Sequence, residues 1–196
     1  MNQDRRDRLR DAAIAVLAQE GGRGLTHRAV DAAATVPTGT AKNYFPTRDA
    51  LLRAAAERCA EQYRALAQTP SGSGPGPAGA AQLAALLAGL LRNVAGPGRT
   101  RVLAYLELQA EAARRPWLAA LLDPVAAADF TAHAHLLRAA GLPAGPARAR
   151  ALTLALHGAV PHLLTGTPAT LAAAGLDDLD RFTRELLAAV CEEETR

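Results

Sequence analysis

The sequence predicts an all-α protein in which an N-terminal three-helix domain with a helix-turn-helix precedes a C-terminal helical bundle. Hydrophobic residues make up 49% of the 196 residues and aromatic residues only 4%, so Leu, Ala and Val must fill the core. Ala, Leu and Arg favour helix, and no run shows the β-branched alternation that is typical of strands. Gly and Pro mark the breaks between the helical segments.

Four helices are predicted in the first third of the chain. The first spans about Gln3–Glu20 and ends at a glycine pair. The second spans Thr26–Ala34 with Thr26 as its N-cap, and the third spans Pro37–Tyr44, since the fixed φ of proline suits a first helical turn. The fourth spans about Thr47–Ala67, again with a threonine cap.

The segment Thr69–Gly79 is rich in Pro, Gly and Ser, which predicts a flexible connection. We place the domain boundary earlier, with one domain at residues 1–50 and a helical domain at residues 51–196. The helices predicted beyond the connection are about Ala80–Ala95, Arg99–Arg114, Trp117–Leu122, Pro124–Ala140, Ala144–Leu164 and Leu176–Glu193.

The charge of the chain is unevenly placed. The net charge is +3, and the first 66 residues hold 11 Lys and Arg against 8 Asp and Glu, whereas the rest of the chain holds 11 of each. The excess therefore lies in the segment with the helix-turn-helix, as a nucleic-acid contact surface requires.

Two cysteines, Cys59 and Cys191, are too few for a disulfide framework, and neither has metal-site spacing around it. His133 and His135 face different directions on a helix, and His157 and His162 are spaced five apart, so no metal and no cofactor is expected. The N-terminus lacks an apolar signal segment and no apolar run reaches 18 residues, which indicates a soluble, cytoplasmic protein.

The predicted third helix carries the chemistry. In a helix-turn-helix, the second helix of the motif enters the major groove of double-stranded DNA. Lys42, the one lysine of the chain, suits guanine or phosphate, and Asn43 suits adenine. The full set of predicted DNA-binding residues is Thr26, Arg28, Pro37, Thr38, Gly39, Thr40, Lys42, Asn43, Tyr44 and Arg48.

Within this set, Gly39 allows a close approach to the sugar-phosphate surface, and the threonine hydroxyls can donate to phosphate. Thr26 stands at a helix N-terminus, where exposed N–H groups favour anions. Arg5 and Arg6 are predicted as a mobile arm, although solvated surface charge is the simpler interpretation for both. Phe45 is expected in the core.

These residues resemble the DNA-binding domain of the TetR (tetracycline-repressor) family of transcriptional regulators, over roughly residues 5–65. The matching positions are Thr26, Val30, Ala34, Val36, Pro37, Gly39, Thr40, Tyr44, Phe45, Thr47, Arg48, Asp49 and Leu51.

Three positions depart from the family's pattern. Thr35 stands where the family usually has Gly, so either the turn is adjusted or a β-branched residue is strained at positive φ. Lys42 and Asn43 replace a frequent Tyr and a frequent His, which makes the operator sequence unpredictable.

The resemblance implies a homodimer whose second domain binds a small-molecule effector, and a repressor that the effector releases from its operator. Residues with apolar bulk and isolated polar groups suggest a pocket, namely Tyr105, Gln109, Trp117, Phe130, His133 and His157. The predicted dimer interface consists of Leu152, Leu156, Leu163, Phe182, Leu186 and Val190, with Leu164 beside them, and intramolecular core is an equal alternative for each.

Two other classes of function stay open. A co-regulator of the same fold would act through protein partners, but acidic or apolar replacements are then expected at Thr38, Lys42 and Arg48 and are absent. An enzyme is not predicted, because the sequence holds no phosphate loop and no nucleophile beside a base. Glu107 and Glu111 share a helix face, yet neighbouring arginines favour surface ion pairs.

Overall fold

The computed structural model of the chain describes residues 3–68 and 76–192, and these residues form helices without any strand. The predicted connection lies mostly outside the described residues. The helices are α1 (Gln3–Gly24), α2 (His27–Ala33), α3 (Thr40–Tyr44), α4 (Arg48–Gln68), α5 (Ala80–Ala95), α6 (Arg99–Ala112), α7 (Pro116–Ala139), α8 (Pro146–Thr165), α9 (Pro168–Ala173) and α10 (Leu179–Cys191).

Most predicted helices are confirmed, and two differences lie in the second half of the chain. The structure has one helix, α7, where the sequence predicts a break at Pro124, because proline removes one hydrogen bond but does not end this helix. The short helix α9 was missed; it begins after Thr167, whose hydroxyl caps the backbone N–H of Thr170 at 3.3 Å. Six residues carry too little periodicity to predict a helix.

The described residues divide into two compact units. The first combines the residues up to 68 with 100–125, and the second combines 76–99 with 126–192. These two units reflect where residues pack against one another. The functional boundary between residues 50 and 51 stays a prediction.

The first unit packs α1 to α4 around a core that also takes in apolar residues of α6 and the start of α7. Leu9, Leu17, Val30, Phe45 and Leu51 are almost wholly buried in this core. Helix α1 breaks its regular geometry at Gly21, whose φ of 69° lies in the left-handed region that favours glycine. The predicted helix stop is thus a kink, and helical structure resumes to Gly24.

A charged residue is built into this core. Arg10 is 7% exposed, and its Nη2 donates to Glu61 at 2.6 Å while its Nη1 donates to Asp7 at 3.0 Å. Its Nε donates to the carbonyl of Ala54 at 3.3 Å. A buried guanidinium needs such partners, and here they join α1 to α4.

The second unit has a leucine core shared by α5, α8, α10 and the end of α7. Leu83, Leu87, Leu137 and Leu152 are completely buried in it. The hydroxyl of Thr183, also buried, donates to the carbonyl of Ala84 at 3.0 Å and joins α10 to α5. Among the described residues, no helix is both long and apolar enough for a bilayer span.

Candidate nucleic-acid interface

The start of α2 is determined by Thr26. Its backbone is extended, and its hydroxyl oxygen accepts the N–H of Ala29 at 3.1 Å. This is the N-cap that the sequence predicts, and it engages the hydroxyl oxygen within the chain. The Thr26 side chain remains at the surface, with Arg28 exposed two residues further on.

The end of α2 is a Schellman turn centred on Thr35. The N–H of Val36 donates to the carbonyl of Asp31 at 3.0 Å, and the N–H of Thr35 donates to Ala32 at 3.1 Å. Thr35 has φ 55° and is the one non-glycine residue at positive φ in the described part of the chain. Of the two possibilities that the sequence left open, strain at Thr35 is therefore the outcome.

The buried carboxylate of Asp31 connects α2 to α3. One oxygen accepts the N–H of Gly39 at 2.7 Å and the other accepts the N–H of Ala41 at 2.6 Å. Asp31 is only 2% exposed, so both bonds are shielded from water. Two N–H groups at the start of α3 are thus satisfied by the preceding helix.

Helix α3 begins at Thr40, three residues later than predicted. Gly39 is the N-cap with φ 93°, and the predicted first turn at Pro37 and Thr38 is irregular. Open space surrounds the Cβ position of Gly39, so this glycine is required by its backbone angle and not by crowding. The helix cannot extend back through Gly39 because its φ is positive, and the N–H groups of Gly39 and Ala41 bind Asp31 instead.

The inner and outer faces of α3 are clearly separated. Ala41 is completely buried and Phe45, which ends the helix, is 2% exposed. Lys42 and Asn43 are exposed, and Tyr44 is half-buried with its ring centre 6.3 Å from that of Phe45. The outer face therefore presents a cation and an amide, flanked by exposed Pro37 and Thr38.

The hydroxyl proton of Thr40 is already used in a hydrogen bond within the chain. It donates to the carbonyl of Pro37 at 2.5 Å. A threonine hydroxyl has one proton, so in this geometry Thr40 can only accept from a ligand. While this bond is present the oxygen can accept from the amino group of a base, and a contact with phosphate requires the hydroxyl to turn away from Pro37.

Arg48 has its guanidinium turned toward the chain. Its Nη1 donates to the carbonyl of Leu25, and its Nη2 donates to the carbonyl of Gly22 at 2.5 Å. These bonds anchor the start of α4 to the end of α1, so Arg48 has a structural role. Its predicted contact with phosphate would use the remaining N–H groups.

Two further side chains hold the end of α3. The Nε2–H of His27 donates to the carbonyl of Phe45 at 2.6 Å. The guanidinium carbon of Arg6 lies 5.1 Å from the centre of the Phe45 ring, a cation–π contact. Arg5 and Arg6 belong to α1, which contradicts the alternative of a mobile arm.

Three of the predicted pocket residues lie in the first unit. The rings of Tyr105 and Tyr63 have centres 5.1 Å apart, and the guanidinium carbon of Arg53 lies 4.4 Å from the centre of the Trp117 ring. Gln109 is exposed. Tyr105 and Trp117 are thus engaged with aromatic and cationic neighbours.

The other three lie in the second unit. His133 is buried, with Nδ1 2.9 Å from the hydroxyl of Thr153. That hydroxyl donates to the carbonyl of Ala149 at 2.7 Å, so it must accept from Nδ1–H of His133. Burial lowers the pKa of His133, against the charge of Asp129, which raises it. His133 is thus held neutral with Nε2 unprotonated.

Phe130 lies on α7 with His133, and His157 lies on α8 with Thr153. The Nε2 of His157 lies 3.0 Å from a carboxylate oxygen of Asp129, and its ring meets Phe130 edge-on with centres 6.3 Å apart. An apolar groove elsewhere in the second unit is lined by Ala80, Ala81, Leu142, Arg184, Leu187, Ala188 and Cys191. It contains none of the predicted pocket residues.

The predicted dimer residues divide into two groups. Leu152 and Leu156 are 0% and 6% exposed and fill the core of the second unit, so their assignment to an interface is corrected to intramolecular core. Leu164, 6% exposed, is likewise buried. The half-buried members, which pack at the edge of that core, are Leu163, Phe182, Leu186 and Val190.

Comparison with known proteins identifies the class. Residues 78–192 match the family model described as "Tetracyclin repressor-like, C-terminal domain". Among curated proteins, no match to the chain is found.

Solved structures point to the same class. The multidrug binding protein EbrR, complexed with ethidium, is 38% identical with a TM-score of 0.62, over 96% of this chain and 99% of that one. A member of the TetR family from Streptomyces coelicolor A3 is 35% identical with a TM-score of 0.65, over 96% and 99% of the two chains. A transcriptional regulator from Rhodococcus sp. Rha1, at 22% identity and a TM-score of 0.73 over 94% and 95%, shares the fold.

The chain belongs to the TetR family. Members of this family are transcriptional regulators and not enzymes, so the chain is assigned to the regulators.

Proposed function

We propose that this chain is a dimeric, ligand-responsive DNA-binding regulator, a repressor that a small molecule releases from its operator. The observation that carries the proposal is the construction of α3. Its outer face presents exposed Lys42 and Asn43, while Asp31 and the buried residues Ala41 and Phe45 hold it against the first unit. A polar helix edge on a rigid base is what reading of the major groove requires.

The roles of the side chains follow from their contacts. Lys42 suits guanine or phosphate and Asn43 suits adenine, since both are exposed. Thr40, whose hydroxyl donates to Pro37, suits the amino group of adenine or cytosine while that bond is present. Exposed Arg28 is the more favourable phosphate ligand, because the guanidinium of Arg48 already donates hydrogen bonds to two backbone carbonyls.

The dimer is proposed to use the outer surfaces of α8 and α10. On α8, the exposed residues Leu154, His157, Gly158 and Pro161 follow helical spacing and form one stripe. Leu154 is 60% exposed, and open space surrounds the Cβ position of Gly158, which permits close approach of another helix. The half-buried side chains of Leu163, Phe182, Leu186 and Val190 extend the apolar character of these helices.

A dimer is also what operator recognition demands. One recognition helix reads only a few base pairs, and two copies related by a two-fold axis read half-sites about 34–36 Å apart. An effector that favours a different separation of the two recognition helices weakens operator binding by shifting the population of conformations. Such a regulator works in the cytoplasm, where the operator DNA is.

The relatives suggest what class of effector to test. EbrR has been crystallised with imidazole, proflavin and ethidium, and the latter two are planar aromatic compounds. This chain is similar to EbrR along nearly its whole length. We therefore propose an aromatic small molecule as the effector class.

The test is a gel-shift titration on the promoter region of the protein's own gene, beside an unrelated fragment of equal length. We expect retardation of the promoter at protein concentrations that leave the unrelated fragment free, with an affinity that falls as salt rises. Sedimentation of the protein alone should give a dimer. Equal, weak retardation of both fragments would contradict operator recognition, and a monomer at micromolar concentration would contradict the interface.

A further inference from the structure

Arg101, on α6, carries a guanidinium with one buried N–H that has no partner among the described residues of the first unit. Its guanidinium carbon lies 5.5 Å from the centre of the Tyr63 ring on α4. Its Nε is excluded from solvent and has no hydrogen-bond partner among the described residues. Buried polar groups without partners are uncommon in folded proteins, and such a group indicates an ion, a water molecule or a ligand.

The surroundings of Arg101 are aromatic and apolar. The Tyr63 ring also meets the Tyr105 ring, with centres 5.1 Å apart and planes inclined at 53°. Cys59, one turn before Tyr63 on α4, is completely buried. Burial raises the pKa of the Cys59 thiol to about 12, and the nearby charge of Arg101 opposes that rise. The charge of Arg101 therefore affects the buried thiol of Cys59 as well as facing the Tyr63 ring.

No carboxylate in the described part of the chain forms an ion pair with Arg101. Glu61 binds Arg10 and Arg58, and Glu111 binds Arg114 and Arg115. The carboxylate of Glu107, one turn and a half along α6, accepts the N–H of Gly22 at 2.8 Å. Within residues 3–68 and 76–192, none of the ion pairs includes Arg101. An anion from outside the described residues is therefore free to pair with this guanidinium.

We propose that Arg101 binds the anionic group of an aromatic effector, with the ring pair Tyr63 and Tyr105 beside the aromatic body. This inference rests on the proposed function, since it states the charge of the effector. A guanidinium presents parallel N–H donors that match a carboxylate, and tyrosine rings stack on planar ligands. An aromatic carboxylate fits both features.

The same geometry disfavours cationic dyes of the kind that EbrR binds. The Tyr63 ring already has the guanidinium of Arg101 against it. A cationic ligand would have to displace this guanidinium or lie beside it, and like charges repel. The proposed subsite therefore selects an anion among aromatic compounds.

The experiment compares three probes by calorimetric titration of the full chain. The probes are 2-naphthoate, its neutral analogue 2-naphthamide, and ethidium as the cation. We expect the wild type to bind 2-naphthoate at least ten-fold more tightly than 2-naphthamide. Ethidium that binds more tightly than 2-naphthoate, or equal affinities for 2-naphthoate and 2-naphthamide, would overturn the proposal without any variant.

Variants then assign the preference to one residue. In Arg101→Gln the preference for 2-naphthoate should disappear, and Arg101→Lys should retain part of it as a point charge. Arg53→Gln is the matched control, because it removes another guanidinium on an aromatic ring of the same unit. A preference that survives in Arg101→Gln, or one lost equally in Arg53→Gln, would refute the assignment.

Operator binding separates this inference from the regulator proposal. Arg101→Gln should retard the promoter fragment like the wild type but no longer be released by 2-naphthoate. If the wild type binds the promoter but 2-naphthoate does not release it, the proposed subsite is wrong and the regulator proposal stands. If 2-naphthoate binds in a way that depends on Arg101 but the promoter is not recognised, the regulator proposal is wrong and the subsite stands.

Discussion

The carboxylate of Asp31 accepts the backbone N–H of Ala41 at 2.6 Å across the turn of the helix-turn-helix. Its second oxygen accepts the N–H of Gly39 at 2.7 Å. One buried side chain of α2 thus holds the first residues of α3.

Replacement of Asp31 tests this relationship. Asp31→Asn keeps one acceptor oxygen but sets an NH₂ group against the second backbone N–H, which leaves a buried donor unsatisfied. We expect the free energy of unfolding to fall by about 1–3 kcal/mol, measured by urea denaturation. Asp123→Asn, at an exposed position of the same unit, is the control and should change little. Equal stabilities of the two variants would show that the Asp31 bonds contribute nothing.

Thr35 offers the opposite change, an increase in stability. Its φ of 55° is unfavourable for a residue with a Cβ branch. Thr35→Gly should raise the free energy of unfolding by about 1 kcal/mol, because relief of about 1–2 kcal/mol of left-handed strain exceeds the entropy that glycine loses on folding. Thr35→Ala, which keeps the Cβ, should gain less. A Thr35→Gly variant less stable than the wild type would contradict strain at this position.

Lys42 tests the proposed contact with DNA. Its side chain is exposed, so Lys42→Ala should fold normally. We expect operator affinity to fall by about 1–3 kcal/mol, with a shallower salt dependence if the partner is a phosphate, in gel shifts at several salt concentrations. Arg138→Ala removes one positive charge from an exposed position of the second unit and serves as the control. The same loss in both variants would indicate a general charge effect.

The network around Arg10 predicts a dependence of stability on pH. Burial raises the pKa of Glu61, but the hydrogen bonds and charges of Arg10 and Arg58 outweigh it and lower the pKa. Because the folded-state pKa is depressed, the stabilisation is present above the ordinary glutamate pKa of about 4.3 and is lost as the pH falls through the folded-state value.

Urea denaturation at a series of pH values from neutral to acidic should therefore show the wild type losing stability below that range. Glu61→Gln, which does not titrate, should lose less over the same interval. Glu20→Gln, at an exposed position of α1, is the matched control and should follow the wild type. Parallel pH profiles for the wild type and Glu61→Gln would refute a role for this carboxylate.

Local signals in the sequence predicted much of the fold. The N-caps of Thr26 and Thr47 are hydrogen bonds to an N–H three residues away, at 3.1 and 3.0 Å, so residue type and spacing are enough to predict them. The buried positions of Val30 and Phe45 follow the same short-range periodicity. The proposed DNA-contact residues Lys42 and Asn43 were identified from their positions in this pattern.

Contacts between residues far apart in the chain decided the features that the sequence did not predict. Asp31 resembles a surface aspartate in the sequence, and only the turn brings the N–H groups of Gly39 and Ala41 to it. The direction of the Arg48 guanidinium depends on carbonyls 23 and 26 residues earlier.

Helical periodicity marks one face of α8 as apolar, but it does not say which neighbour covers that face. The sequence alone therefore determined most of the helices, the caps at Thr26 and Thr47 and the polar edge of α3, because those depend on residues a turn apart. The tertiary structure alone decided that Leu152 and Leu156 lie in the core while Leu154 is exposed, because burial depends on which distant segments pack there.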